Sequence, residues 1–141
     1  IGTGLDRYEA STRATNILKW MDFEHKATDK ADTLPYGEER RVGIGRALAT
    51  TPRFVLLDEP AAGLSDAECD ELMGLISQIP NEFGCGVLLI EHNMRVIMGV
   101  CQRIHVIDSG KTIAEGSPSE IQANPEVIRA YLGSKSEQTS A

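Results

Sequence analysis

Two apolar runs in this chain end in residues that do acid–base and metal chemistry. "FVLL" at 54–57 runs into Asp58 and Glu59, and "VLLI" at 87–90 runs into Glu91 and His92. Both runs thus end in acid or imidazole. Ligands of open α/β sheets gather at the carboxyl ends of the strands, so this placement is suggestive in itself. A third stretch, "LPYGEERR" at 34–41, reads as the entrance of a helix. Helix entrances carry unpaired N–H groups and partial positive charge, and so bind anions. Taken singly, each feature has a plainer explanation: a strand leaving the sheet for solvent, or a histidine capping the next helix.

The elements that must position these residues are legible from periodicity. Ala10, Ala14, Ile17, Leu18 and Met21 recur at helical spacing, predicting an amphipathic helix over 6–21. "DFEHKATDKAD" then reads as a connector. A second helix is predicted from Gly37 to about Ala49, with Val42, Ile44 and Leu48 inward and Glu38, Glu39, Arg40 and Arg41 outward. The arginines are expected to be solvated or to pair with Glu38 and Glu39. "FVLL" and "VLLI" have the continuous apolar pattern of strands buried on both faces of a parallel sheet. Between them Cys69, Leu72, Met73, Ile76 and Ile79 mark a helix that Pro80, Asn81 and Gly84 are expected to break. Strand, helix, strand is a crossover unit, which implies an α/β fold with a largely parallel sheet layered by helices. Further on come a short helix over 94–101 and a hairpin around Asp108, Ser109 and Gly110. Ser117 to Glu120 forms a capping box with proline inside it, Asn124 and Pro125 open another helix, and Gly133 is placed to end it. The polar stretch 134–141 is expected to be a disordered tail.

Composition narrows the classes. The 141 residues are 41% hydrophobic and 25% charged, the balance of one globular domain. No apolar run approaches the ~20 residues of a membrane span. A net charge of −7 argues against nucleic acid as the main partner. Cys69, Cys85 and Cys101 lack metal-ligand spacing and read as buried, reduced thiols. The chain begins at Ile1 without an initiator methionine, the look of a fragment.

Together, "LPYGEERRVGIGRALATTPRFVLLDEPAAGL" and "VLLIEHNM" resemble the ATPase subunit of an ABC transporter from its signature motif onward. "LPYG", "EPAAGL", "IEHNM" and "NPEVIRAYLG" look most like the ATPases of branched-chain amino acid importers. The resemblance implies the P-loop NTPase fold of ABC ATPases, a three-layer core of which only the C-terminal part is present. Residues 1–50 would end the helical signature subdomain, and 51–133 would form the second half of the catalytic core. It further implies that Asp58 holds Mg²⁺, through water, that Glu59 orients the attacking water, and that His92 contacts the γ-phosphate of ATP. Gly63, Leu64 and Ser65 match the loop that communicates across a dimer, although the family often has aspartate where Ser65 stands. Leu34, Pro35, Tyr36, Gly37 and Glu38 occupy the signature, which grips ATP bound to the opposite subunit. Pro35, Tyr36 and Glu38 depart from the common Leu-Ser-Gly-Gly-Gln, leaving the grip to backbone N–H groups around Gly37 and Glu38.

The chain contains no G-x-x-x-x-G-K-[ST] phosphate loop. The resemblance therefore implies an ATPase that works as a head-to-tail dimer with membrane-spanning permease subunits and, indirectly, an extracellular binding protein. It would sit at the cytoplasmic face of the membrane, while residues 1–141 alone are expected not to hydrolyse ATP. The ATPase of a lipopolysaccharide exporter is the nearest alternative. A DNA-repair or chromosome-organising ATPase, or a non-catalytic remnant, are alternatives of other classes.

Overall fold

The computed structural model describes residues 6–138, with side chains described through Tyr131. The chain divides into two compact units, one ending at His92 and the other beginning at Asn93.

In the first unit, helix α1 spans Arg7–Trp20. A capping box opens it: Asp6 Oδ1 accepts from the Glu9 N–H at 2.8 Å, and Glu9 Oε2 accepts from the Asp6 N–H at 3.2 Å. The connector folds into two 3₁₀ turns, Glu24–Lys26 and Ala31–Thr33. Helix α2 spans Tyr36–Leu48, strand β1 Phe54–Asp58, helix α3 Asp66–Phe83 and strand β2 Gly86–Ile90. The strands pair in parallel, Phe54 opposite Gly86 through Asp58 opposite Ile90. The core draws Ile17 and Met21 from α1, Ile44 and Leu48 from α2, Val55 and Leu57 from β1, and Cys69, Leu72, Leu75, Ile76 and Ile79 from α3.

Two expectations are corrected here. The strands are not buried on both faces: Val55 and Leu57 are covered, while Phe54, Leu56, Leu88 and Ile90 are exposed. Successive side chains of a strand point to opposite faces, and the described residues of this unit cover only one of them. Nor does Pro80 break α3, which runs on to Phe83 and ends at Gly84 in the left-handed conformation, whose N–H donates to the Pro80 carbonyl at 3.0 Å. The helix holds because Ile79 is fully buried and Phe83 packs edge-on against Trp20, ring centroids 4.8 Å apart.

The second unit holds helix α4 (Met94–Val100), antiparallel strands β3 (Ile104–Asp108) and β4 (Lys111–Gly116), and helices α5 (Pro118–Ala123) and α6 (Pro125–Gln138). Ser109 and Gly110 turn the hairpin with φ of 47° and 75°, the two positive values that a tight two-residue turn requires. Glu120 Oε2 accepts from the Ser117 N–H at 2.7 Å, and Asn124 Oδ1 from the Glu126 N–H at 2.8 Å, as their spacing predicts. Ile104, Ala114, Ile121 and Val127 form the core of this unit. Helix α6 passes Gly133 instead of ending there, since no proline follows to force a stop. Residues 139–141 of the expected tail lie outside the described residues.

Cys69 and Cys85 are buried, Cys101 is half-buried, and all three are thiols outside any disulfide. Burial pushes the Cys101 thiol pKa up, which keeps it protonated and unreactive. Among the described residues no helix is long and apolar enough to cross a membrane.

Candidate functional site

The parallel pairing of β1 and β2 brings the two acidic strand ends together. The Glu59 N–H donates to the Ile90 carbonyl at 2.8 Å, extending the ladder by one residue beyond Asp58. The chain then turns sharply. Glu59 has a φ of 44°, rare for a residue with a side chain, and the Ala62 N–H closes on its carbonyl at 3.1 Å. This turn presents the Glu59 carboxylate to His92, whose Nδ1 lies 3.3 Å from Glu59 Oε1. Asp58, Glu59 and His92 are all exposed, so a ligand can reach them. The helix cap that follows is Asn93, whose Oδ1 accepts from the Arg95 N–H at 3.1 Å, which leaves His92 free of the capping role.

Glu91 holds this corner. Its Oε1 accepts from the Ala61 N–H at 2.9 Å and its Oε2 from the His92 N–H at 3.0 Å, tying the turn after β1 to the residue after β2. The sequence shows Glu91 at the strand end but gives it no role, because its partner is a backbone amide thirty residues away.

No group of three or more His, Cys, Asp or Glu side chains capable of caging a metal exists among the described residues. Asp58 is an exposed single carboxylate, a donor set that fits Mg²⁺ held mainly by phosphates and water.

At the other end of the site, Pro35 is the N-cap of α2, extended at φ −55° and ψ 150°, with no side-chain cap. Its carbonyl accepts from the N–H groups of Glu38 at 3.0 Å and Glu39 at 2.9 Å. The donors ahead of the first helical bond are therefore those of Tyr36 and Gly37, which shifts the expected pair one residue toward the N-terminus. The Glu38 carboxylate is engaged by Lys26, and Leu34 is half-buried. The arginines do not pair with Glu38 and Glu39. Arg41 Nη1 meets Glu71 Oε2 at 3.0 Å with its guanidinium 4.6 Å from the Phe23 ring centroid, and Arg40 lies 5.0 Å from the Tyr36 ring centroid and hydrogen-bonds its hydroxyl. The roll of α2 turns Arg41 toward α3 and the connector, a matter of packing that helical spacing alone does not set.

Gly63, Leu64 and Ser65 lead into α3, with Ser65 as its N-cap and Gly63 at φ 77°. Glu68 closes the capping box, its Oε2 accepting from the Ser65 N–H at 2.8 Å and hydroxyl at 2.7 Å. Those bonds, with the nearby Arg41 cation, lower the Glu68 pKa. A groove of about 370 Å³ runs from Tyr36 and Arg40 past Ile44 and Leu56 to Asp58 and Pro60, joining the helix entrance to the strand end.

A parallel strand pair ending in Asp-Glu and His lies beside the entrance of α2, and the chain belongs to the ABC transporter ATPase family. Residues 3–62 match the family described as "ABC transporter", and residues 111–136 match "Branched-chain amino acid ATP-binding cassette transporter". Over 125 residues it is 45% identical to the high-affinity branched-chain amino acid transport ATP-binding protein LivG of Salmonella typhimurium, covering 89% of this chain and 49% of that protein. BraF of Pseudomonas aeruginosa, of the same description, is 44% identical over the same shares. The lipopolysaccharide export ATP-binding protein LptB of Escherichia coli is 37% identical over 92% of this chain and 53% of its own. Among solved structures, the ADP conformation of MJ1267, an ATP-binding cassette, superposes with a TM-score of 0.82 at 27% identity, covering 92% of this chain and 52% of that one. CbiO1 of Clostridium perfringens, part of an ABC transporter complex, gives 0.79 at 32%, over 89% and 50%. The chain spans about half the length of the curated relatives it matches.

Proposed function

We propose that this chain is the signature-bearing part of an ATP-hydrolysing subunit that powers import of branched-chain or related amino acids. The observation that carries the reading is the Glu59–His92 pairing at 3.3 Å beside Asp58, on the carboxyl ends of two parallel strands. Glu59 accepts a hydrogen bond from, and so orients and polarises, a water attacking the γ-phosphate. His92 holds that carboxylate in place and, on the far side of its ring, faces the phosphate. Asp58 would hold Mg²⁺ through water, and the ion would neutralise charge on the phosphate oxygens. The N–H groups of Tyr36 and Gly37 would meet the γ-phosphate of ATP bound to a second ATPase subunit, packed head to tail. Gly63, Leu64 and Ser65 lie along that same junction. Permease subunits in the membrane, and an extracellular binding protein, complete the assembly, which places the ATPase at the cytoplasmic face. The amino-acid substrate rests on the similarity to LivG and BraF and on the match over 111–136; LptB, at lower identity, makes lipopolysaccharide export the second reading.

The test is Glu59→Gln in the complete ATPase. ATP should still bind and a closed dimer accumulate, with turnover down by about 10²–10⁴-fold, the usual worth of a positioned general base. Turnover at the parent rate would remove Glu59 from the chemistry. Residues 1–141 alone, lacking a phosphate loop, should show no Mg²⁺-dependent turnover at all.

A further inference from the structure

Two contacts join the signature entrance to the Gly63–Ser65 loop of the same chain. The first is the Tyr36 ring. Arg40, one turn on, stacks against it and bonds its hydroxyl at 3.0 Å, and the ring's Cε1 stands 3.4 Å from where a Cβ on Gly63 would be. The second is Glu68. While its Oε2 is bonded to Ser65, its Oε1 lies only 2.6 Å from the position of a Cβ on Gly37, with its Cδ at 3.1 Å. A flexible carboxylate would swing aside, but this one is fixed by its capping bonds. Gly37 is therefore glycine for an in-chain reason as well as for the approach of phosphate.

We propose that Tyr36 and Glu68 are positioning residues that lock the signature entrance to the Gly63–Ser65 loop, so that both meet a nucleotide as one rigid edge. This rests on the reading of the chain as an ABC ATPase whose signature serves a second subunit. It gives a role to Tyr36, the position that departs most in size from the usual glycine. A ring there removes room for phosphate but reaches the neighbouring loop, which glycine cannot do. An isolated helix entrance frays easily; one held by a ring on one side and a capped carboxylate on the other keeps its N–H groups aimed before ligand arrives.

The link is tested on the 141-residue chain by amide resonances. Tyr36→Ala should shift the amides of Gly63, Leu64 and Ser65, while Tyr36→Phe, which keeps the ring, should leave them in place. Glu68→Ala should shift the Gly37 amide, and Gln78→Ala, further along the same helix, should not. Unmoved amides in Tyr36→Ala and Glu68→Ala overturn the proposal. Its purpose is tested in the complete ATPase carrying Glu59→Gln, by the ATP concentration that half-saturates association of the subunits. Tyr36→Ala and Glu68→Ala should each raise it at least fivefold without changing ATP binding to the separated subunit, and Tyr36→Phe should restore the parent value. Association at the parent concentration in both alanine variants overturns the positioning role. If the Glu59→Gln parent itself fails to associate with ATP, the ABC reading of the site falls, and the positioning role with it.

Discussion

The bare face of the β1–β2 pair predicts how this chain behaves by itself. Phe54, Leu56, Leu88 and Ile90 are 65%, 71%, 56% and 58% exposed, side by side on one face. Full burial of such a side chain stabilises by roughly 1.5–3 kcal/mol. With about three-fifths of each still available, the face holds roughly 4–7 kcal/mol of unused hydrophobic free energy. Two copies meeting face to face use it twice, against about 4–15 kcal/mol lost on association, so self-association should depend steeply on concentration. The perturbation is Leu56→Lys with Leu88→Glu. These residues are register partners, and opposite charges avoid the repulsion that two lysines would meet across the strands. Light scattering and an apolar dye should show the parent associating and the double variant monomeric. Its urea midpoint should move little, because exposed substitutions fall within about 0.5 kcal/mol each. A loss above about 2 kcal/mol would mean that the face is buried in the chain itself. Association equal to the parent's would mean that the sticky surface lies elsewhere.

Two further outcomes follow from local geometry. The Glu68 and Glu120 carboxylates have lowered pKa values, Glu68 through the Ser65 hydroxyl, the Ser65 amide and Arg41, and Glu120 through the Ser117 amide and hydroxyl. Their contribution is complete above the ordinary value of 4.5 and is lost as pH falls through the lower folded values, so urea midpoints of Glu68→Gln and Glu120→Gln should fall short of the parent above 4.5 and converge on it as pH falls through those lower values. Pro80→Ala restores an N–H inside α3 and should raise stability by about 1–3 kcal/mol, read from the same urea transitions; a loss would show that the ring of Pro80 is needed where it stands.

What the sequence revealed depended on how local the cause was. The capping box of Ser117 with Glu120, the Ser109–Gly110 turn and the crossover from β1 to β2 are set by residues within one element or its immediate neighbour, and each forms as its spacing predicts. The meeting of Glu59 with His92 was foreseeable in outline, since parallel strands bring their carboxyl ends together. The details that aim those groups were not. Glu91 bonds the Ala61 amide in the turn that follows Glu59, whose positive φ no pattern in the sequence marks. Arg41 reaches Glu71 because of the way α2 packs on α3, which helical periodicity leaves open.

Tyr36 makes the same point from the other side. Against the usual signature it reads as a loss, a bulky ring where phosphate needs room. Against the fold it has a neighbour in the Gly63 loop, where a Cβ would stand 3.4 Å from the ring, an ordinary contact, so Gly63 is glycine for its φ of 77°. Gly37 differs: it faces Glu68 at a distance no Cβ could keep, so a glycine read as room for a nucleotide also makes room for part of the chain itself. A substitution at Gly37 would therefore disturb the chain before ATP is present, and hydrogen exchange in the nucleotide-free chain separates that effect from a lost phosphate contact. Faster exchange at Ser65 and Glu68 in Gly37→Ala marks the in-chain contact, and unchanged exchange would return Gly37 to the ligand alone.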